Sequence, residues 1–177
     1  FGDVNLRELV DKAADAFKEE AEAANVQIVT DLPDTLQMTA DAGEVEMMVN
    51  NLISNGIKYN RDGGSVHVSG HEADGRLRLQ FKDTGIGMTP EEVERLFEDF
   101  VRIKNDKTRH ISGSGLGLSV VKKLATLYHG DVNVESEPDV GTTFTVDLHK
   151  DTGAQSADMQ VAELNDDGKT PPTSANP

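Results

Sequence analysis

Asn51-Leu52-Ile53-Ser54-Asn55-Gly56-Ile57-Lys58-Tyr59 is the most telling stretch of this chain: its apolar residues recur at helical spacing, and its two amides stand at i and i+4 on one face. Downstream, Asp83-Thr84-Gly85-Ile86-Gly87-Met88 sets a carboxylate at a strand end before a glycine turn. Phe97-Glu98-Asp99-Phe100 follows, and Gly113-Ser114-Gly115-Leu116-Gly117-Leu118 then leads glycines into a helix. Each stretch has chemistry of its own. The side-chain carbonyls of Asn51 and Asn55 offer oxygen, the donor a hard cation takes, without adding charge. A carboxylate such as Asp83 accepts a hydrogen bond from an amino group, while Gly85 and Gly87 let backbone approach a flat ligand closely. Glycine amides ahead of a helix N-terminus make an anion site. The last stretch is not a Walker A loop, because no Gly-Lys-Ser/Thr follows. It also misses the dinucleotide fingerprint, whose third glycine would fall on Leu118.

Working outward, Leu6, Leu9, Val10, Ala13, Ala14 and Phe17 mark an amphipathic helix that opens the chain, capped by Asn5 with Glu8 three residues on. Val26 to Val29 reads as a strand. Asp41 with Glu44 forms a capping-box-like start for the helix that carries Asn51 and Asn55. Arg61-Asp62-Gly63-Gly64 is a turn, and Ser65 to Glu72 and Arg76 to Asp83 form a hairpin closed by Ala73-Asp74-Gly75. Thr89-Pro90-Glu91-Glu92 starts a short helix. Leu116 to Tyr128 is helical, ended by His129-Gly130, and Asp131 to Glu137 with Thr142 to His149 completes a second hairpin. Helices interleaved with antiparallel hairpins predict an α+β fold: a two-layer α/β sandwich in which a mixed, largely antiparallel sheet packs on helices.

The chain has 177 residues, 36% hydrophobic and 28% charged, with no cysteine, so disulfides and thiolate metal sites are excluded. A net charge of -15 argues against a nucleic-acid partner, which needs clustered cations. Yet Arg102, Lys104, Lys107 and Arg109 gather in one short segment, the kind of island an acidic protein needs to hold a polyanion. There is no apolar run able to span a bilayer and no signal-peptide pattern. Starting at Phe1, the chain looks like a piece of a longer protein. We expect one folded domain over 1–150 and a disordered tail or linker over 151–177, whose Gly, Ser, Thr, Asp, Asn and Pro bury too little to offset their ordering entropy.

In order and spacing the four stretches resemble the N, G1, F and G2 boxes of sensor histidine kinases. These belong to the Bergerat-type (GHKL) ATP-binding family shared with gyrases, Hsp90-like chaperones and MutL-like proteins. The resemblance covers about Val4 to Leu148. It implies ATP and Mg²⁺ as cofactors, with Asn55 the main magnesium ligand and Asn51 assisting, directly or through water. It implies that Asp83 fixes adenine and that Lys58 and Tyr59 reach phosphate. Gly85, Gly87, Gly113, Gly115, Leu116, Gly117, Leu118 and Thr142 would line the nucleotide site. The segment from Phe97 to Gly113 would be the ATP lid, anchored by Phe97 and Phe100, with Arg102, Lys104 and Arg109 facing the phosphates. The chain departs from the family pattern at Asp99 (commonly basic), at Asp139 (often glycine) and at Gly56 (usually alanine, the better helix former).

Asn51 separates the relatives. Family ATPases and serine kinases place a glutamate there to activate a weak nucleophile. An amide cannot take the proton, whereas neutral imidazole needs no such base, so Asn51 favours phosphoryl transfer to histidine. Of the five histidines, His71 and His129 lack the surroundings of an acceptor box. The resemblance therefore implies the catalytic domain of a two-component kinase. Its acceptor histidine would lie on a dimerisation domain of the same parent, with a response regulator receiver domain downstream. The isolated domain is expected to be monomeric and cytoplasmic, in a homodimeric parent that is membrane-anchored or free. The alternatives are a nucleotide-holding regulatory module and a slow chaperone-type ATPase, and Asn51 argues against the latter.

Overall fold

Alternation of buried and exposed residues organises the central hairpin. The computed structural model describes residues 1–98, 105, 107, 108 and 117–151. In order, its elements are β1 (Gly2–Asn5), α1 (Leu6–Ala16), α2 (Lys18–Ala23), β2 (Gln27–Asp31), β3 (Gln37–Ala40) and α3 (Ala42–Lys58). They continue with β4 (Ser65–Ala73), β5 (Arg76–Asp83), α4 (Pro90–Arg95), α5 (Gly117–Leu127), β6 (Asp131–Glu137) and β7 (Gly141–His149). The main sheet has the order β2-β4-β5-β7-β6, parallel only between β2 and β4. Along β5, Leu77, Leu79 and Phe81 are buried while Arg78, Gln80 and Lys82 face solvent. Across from them on β7 stand Leu148, Val146 and Phe144. Helix α3 packs between α1 and α5, and the three cover this apolar face. The expected two-layer sandwich and mixed sheet are observed.

Several local expectations need correction. The chain opens with β1, which pairs antiparallel with β3, before the first helix begins. Both strands have only four residues, too few for a period-two pattern to stand out. The predicted first helix breaks at Phe17 and restarts as α2. Asn5 caps α1 as predicted, accepting from the Glu8 N–H at 3.2 Å. Asp41 caps α3 through the N–H groups of Gly43 and Glu44, but Glu44 turns its carboxylate to the hydroxyl of Tyr128. Thr89 and Glu92 form the reciprocal capping box of α4. At the end of α5 the left-handed residue is His129 (φ 52°), not the glycine. Gly130 is needed instead because a Cβ there would lie 1.8 Å from Asp147 O.

Beside the main sheet, Thr39 on β3 faces Asp3 of β1 on one side and bridges to Asp151 on the other, with the Thr39 N–H donating to Lys150 O. Among the described residues no helix is long and apolar enough to cross a membrane. The tail from 152 onward lies outside the described residues, while Lys150 and Asp151, on either side of the expected boundary at 150, both pair with Thr39.

Candidate functional site

The parity of β5 carries Asp83 inward. It is the next core-facing position after Leu77, Leu79 and Phe81, so a carboxylate stands where the pattern calls for an apolar side chain. Its Oδ1 accepts the N–H of Gly85 at 2.9 Å and of Thr142 at 3.2 Å. No hydrogen bond to Oδ2 is made by any described residue. Burial pushes the Asp83 pKa up to about 6, outweighing the two backbone N–H bonds that pull it down. This is a desolvated acceptor with one oxygen committed and one uncommitted.

The turn after Asp83 is held from three sides. Ile86 N–H donates to Tyr59 O at 3.0 Å, Met88 N–H to Ser136 Oγ at 2.8 Å, and Asp139 N–H to Ile86 O at 2.7 Å. A Cβ on Gly85 would meet Tyr59 O at 2.2 Å, and one on Gly87 would meet Glu137 O at 1.9 Å. These two glycines are therefore required by close backbone contact, and Gly87 also by its φ of 64°. Thr142 is buried beside Asp83, and its Oγ1 lies 2.8 Å from Ser136 Oγ.

On α3 the core-facing residues are Val45, Met48, Val49, Leu52, Ile53, Gly56 and Ile57. Asn51 and Asn55 are partly exposed on another side. Asn51 spends its Nδ2 on Met47 O at 2.9 Å, and its Oδ1 looks toward the start of α5, where a Cβ on Gly117 would lie 2.7 Å away. The Asn55 side chain and the exposed Lys58 form no hydrogen bond or ion pair among the described residues. Tyr59 caps α3, and its backbone oxygen, rather than its ring, holds the Asp83 turn. Gly56 has a packing reason: a Cβ would lie 2.8 Å from Val66 Cγ2.

The fold thus brings together Asn51, Gly117 and Leu118 at one place, and Asp83, Gly85, Gly87 and Thr142 at another, joined through Tyr59 at the end of α3. Arg102, Lys104, Arg109, Gly113, Gly115 and Leu116, with Asp99 and Phe100, lie outside the described residues. Phe97 packs against the core, with Lys122 Nζ 5.7 Å from its ring centroid, which suits an anchor. Of the intervening residues, Asn105 donates to Glu92 Oε2 at 3.3 Å, and Lys107 pairs with Asp139. Asp139 therefore gives the β6–β7 turn a cation partner that glycine there would lack.

Sequence reasoning missed Asn60 and Arg61. Asn60 Nδ2 donates to Gly56 O and Ser65 O, and its Oδ1 accepts from Arg61 N–H and Thr84 Oγ1. The Arg61 guanidinium donates to Thr84 O and, at 3.1 Å, to Val140 O. Together they staple the end of α3 to both chain segments flanking Asp83. The signal available was an Asn-Arg pair directly after the two-amide helix, of which the turn reading took in only Arg61.

Among the described residues no group of His, Cys, Asp or Glu is placed to hold a metal alone. A cation here would rely on amide oxygen and a ligand's own charge. The unengaged amide of Asn55 and the uncommitted Oδ1 of Asn51 fit a hard cation.

A sandwich with an inward carboxylate at a strand end, and helix amides beside a glycine-led helix, defines a nucleotide-binding domain of the Bergerat type. The chain belongs to the histidine kinase-, DNA gyrase B-, and HSP90-like ATPase family, whose profile matches residues 40–152. It is 36% identical over 146 residues to the sensor-like histidine kinase SenX3 of Mycobacterium tuberculosis, covering 82% of this chain and 36% of SenX3. The chain therefore spans about a third of the length of that relative. The catalytic domain of histidine kinase ThkA superposes with a TM-score of 0.75 at 23% identity, covering 85% of this chain and 96% of that one. ThkA has also been solved in complex with the response regulator protein TrrA. Full-length ShkA in complex with AMPPNP matches with a TM-score of 0.70 at 27% identity, covering 82% of this chain and 30% of ShkA.

Proposed function

We propose that this chain is the catalytic, ATP-binding domain of a sensor histidine kinase, folded over 1–150, which passes the ATP γ-phosphoryl group to a histidine outside the chain. The observation that carries the reading is Asp83: a buried carboxylate with Oδ1 tied to Gly85 and Thr142 and Oδ2 left to accept from an amino group such as that of adenine. Asn55 and Asn51 would hold Mg²⁺, which when bound neutralises phosphate charge and aligns the transferring group. Lys58 stands one turn beyond Asn55 with its ammonium unpaired among the described residues, suited to a phosphate oxygen. The N-terminus of α5 at Gly117 adds backbone N–H groups and the positive end of the helix dipole. Gly113, Gly115, Leu116 and the cations Arg102, Lys104 and Arg109 are assigned to the same site from the sequence.

Asn51 offers no base for water, so hydrolysis should be slow. An acceptor imidazole on a helical dimerisation domain supplies its own nucleophile, and positioning provides most of the acceleration. A response regulator receiver domain would take the phosphoryl group next, as the ThkA–TrrA pair suggests for a protein of the same fold. The test is direct. A cognate dimerisation domain supplied in trans with Mg·ATP should acquire acid-labile phosphohistidine. ATP hydrolysis by the domain alone at about 1 per second or faster would instead favour a chaperone-type ATPase.

A further inference from the structure

Tyr128 is fully buried at the C-terminal end of α5, and its hydroxyl works in both directions. It accepts the Asp41 N–H at 3.0 Å and donates to Glu44 Oε2. Both partners belong to the start of α3, where Asp41 is the N-cap. At the other end of α5, Gly117 abuts Asn51, as the 2.7 Å approach of a Cβ to Asn51 Oδ1 records. The two helices therefore run antiparallel, with α5 held to α3 at both of its own ends. The length of α5 matches the stretch of α3 it spans: its eleven residues rise about 16 Å, and the rise from Asp41 to Asn51 is about 15 Å at 1.5 Å per residue. Slippage of α5 along α3 would move Gly117 relative to Asn51, and the phenol is a buried side-chain bond that opposes it. One phenol oxygen can accept an N–H and donate an O–H, and phenylalanine can do neither. Burial, then the bond to Glu44, raise the Tyr128 pKa, so the donor is retained at any physiological pH.

We propose that Tyr128 is a positioning residue for the phosphate end of the bound nucleotide, its hydroxyl setting α5 against α3 and so placing the Gly117 backbone beside Asn51. The inference rests on the nucleotide reading above. The adenine end is fixed separately, by Tyr59 O, Ser136 Oγ and the Thr142 N–H, none of which the phenol touches. The backbone tie from the His149 N–H to Tyr128 O also survives removal of the hydroxyl.

The experiment compares wild type with Tyr128→Phe by calorimetric titration, using a non-hydrolysable Mg·ATP analogue and, separately, adenosine. Both proteins are first shown to be fully folded by urea titration. The expected result is adenosine affinity unchanged and analogue affinity weaker by about tenfold, the equivalent of one hydrogen bond. Glu44→Leu removes the acceptor from the other side and should reproduce the same selective loss, even if Tyr128→Phe does not fold. Equal losses for both ligands would mean a general structural role and overturn the proposal, as would no loss for the analogue. If wild type binds neither ligand, the nucleotide reading itself fails and takes this inference with it.

Discussion

Replacing Asp83 by asparagine should separate two quantities that usually move together, stability and ligand affinity. Burial raises the Asp83 pKa from 3.8 to about 6, so the folded state favours the neutral acid. Ionisation of this group therefore opposes folding: the cost is absent below pH 3.8, grows between pH 3.8 and 6, and is complete above that. At 1.36 kcal/mol per pKa unit, the cost is about 3 kcal/mol at pH 8 and about half of that at pH 5. Asparagine keeps an oxygen for the Gly85 and Thr142 N–H groups and removes the charge. Its Nδ2 adds a cost of its own, but one that does not vary with pH. Urea denaturation of both proteins at pH 5, 6.5 and 8 should show the variant gaining on wild type by about 1.4 kcal/mol across the range. In the same variant, affinity for an ATP analogue at pH 8 should fall by about 1–3 kcal/mol, because the amide presents a donor to an amino group that also donates. A stability gap that stays flat from pH 5 to 8 would refute the buried-carboxylate argument. A flat gap together with unchanged affinity would remove Asp83 from the site.

Four further substitutions test the packing and the chemistry of the site. Gly117→Ala puts a methyl against Asn51 Oδ1, so Mg²⁺-dependent analogue binding should weaken while adenosine binding persists, as paired titrations would read. Gly56→Ala gains helix propensity of about 1 kcal/mol, but its Cβ meets both methyls of buried Val66 at 2.8 and 3.1 Å. Overpacking a stiff β-branched neighbour should win, with a net loss of about 1–2 kcal/mol in urea titration that Val66→Ala relieves. Asn55→Ala should abolish phosphoryl transfer to a supplied dimerisation domain, whereas Asn51→Glu, by installing a base, should raise hydrolysis modestly in a phosphate-release assay.

Much of this was legible because it is local. The alternation in Arg76–Asp83, the caps at Asn5, Asp41 and Thr89, and the two-amide helix are properties of short windows, and each is observed. What escaped depends on partners distant in sequence. β1 and β3 exist because they pair with each other, and neither has a pattern of its own. Arg61 reads as a turn residue and Asn60 carries no signal of its own, yet their bonds reach Thr84 and Val140. Glu44 fits a capping box by spacing, but Tyr128, 84 residues on, offers a better donor. Gly56 reads as a mild helix defect until Val66 is seen against it. The inward parity of Asp83 was available in the alternation itself and is the strongest single pointer to the site.

The placement of β3 bears on how mechanical load enters this domain. β1 hydrogen-bonds along one edge of β3, and the chain leaving β7 binds the other edge through Thr39 and Lys150. Tension applied through Gly2 or through Asp151 is thus carried first by the same strand, and β3 ends at Ala40, directly before the N-cap of α3. Strain arriving there need not cross the five-stranded sheet to reach the amide-bearing helix. It enters at the N-terminal end of the helix, where the bonds of Asp41 and Glu44 to the phenol provide a stop.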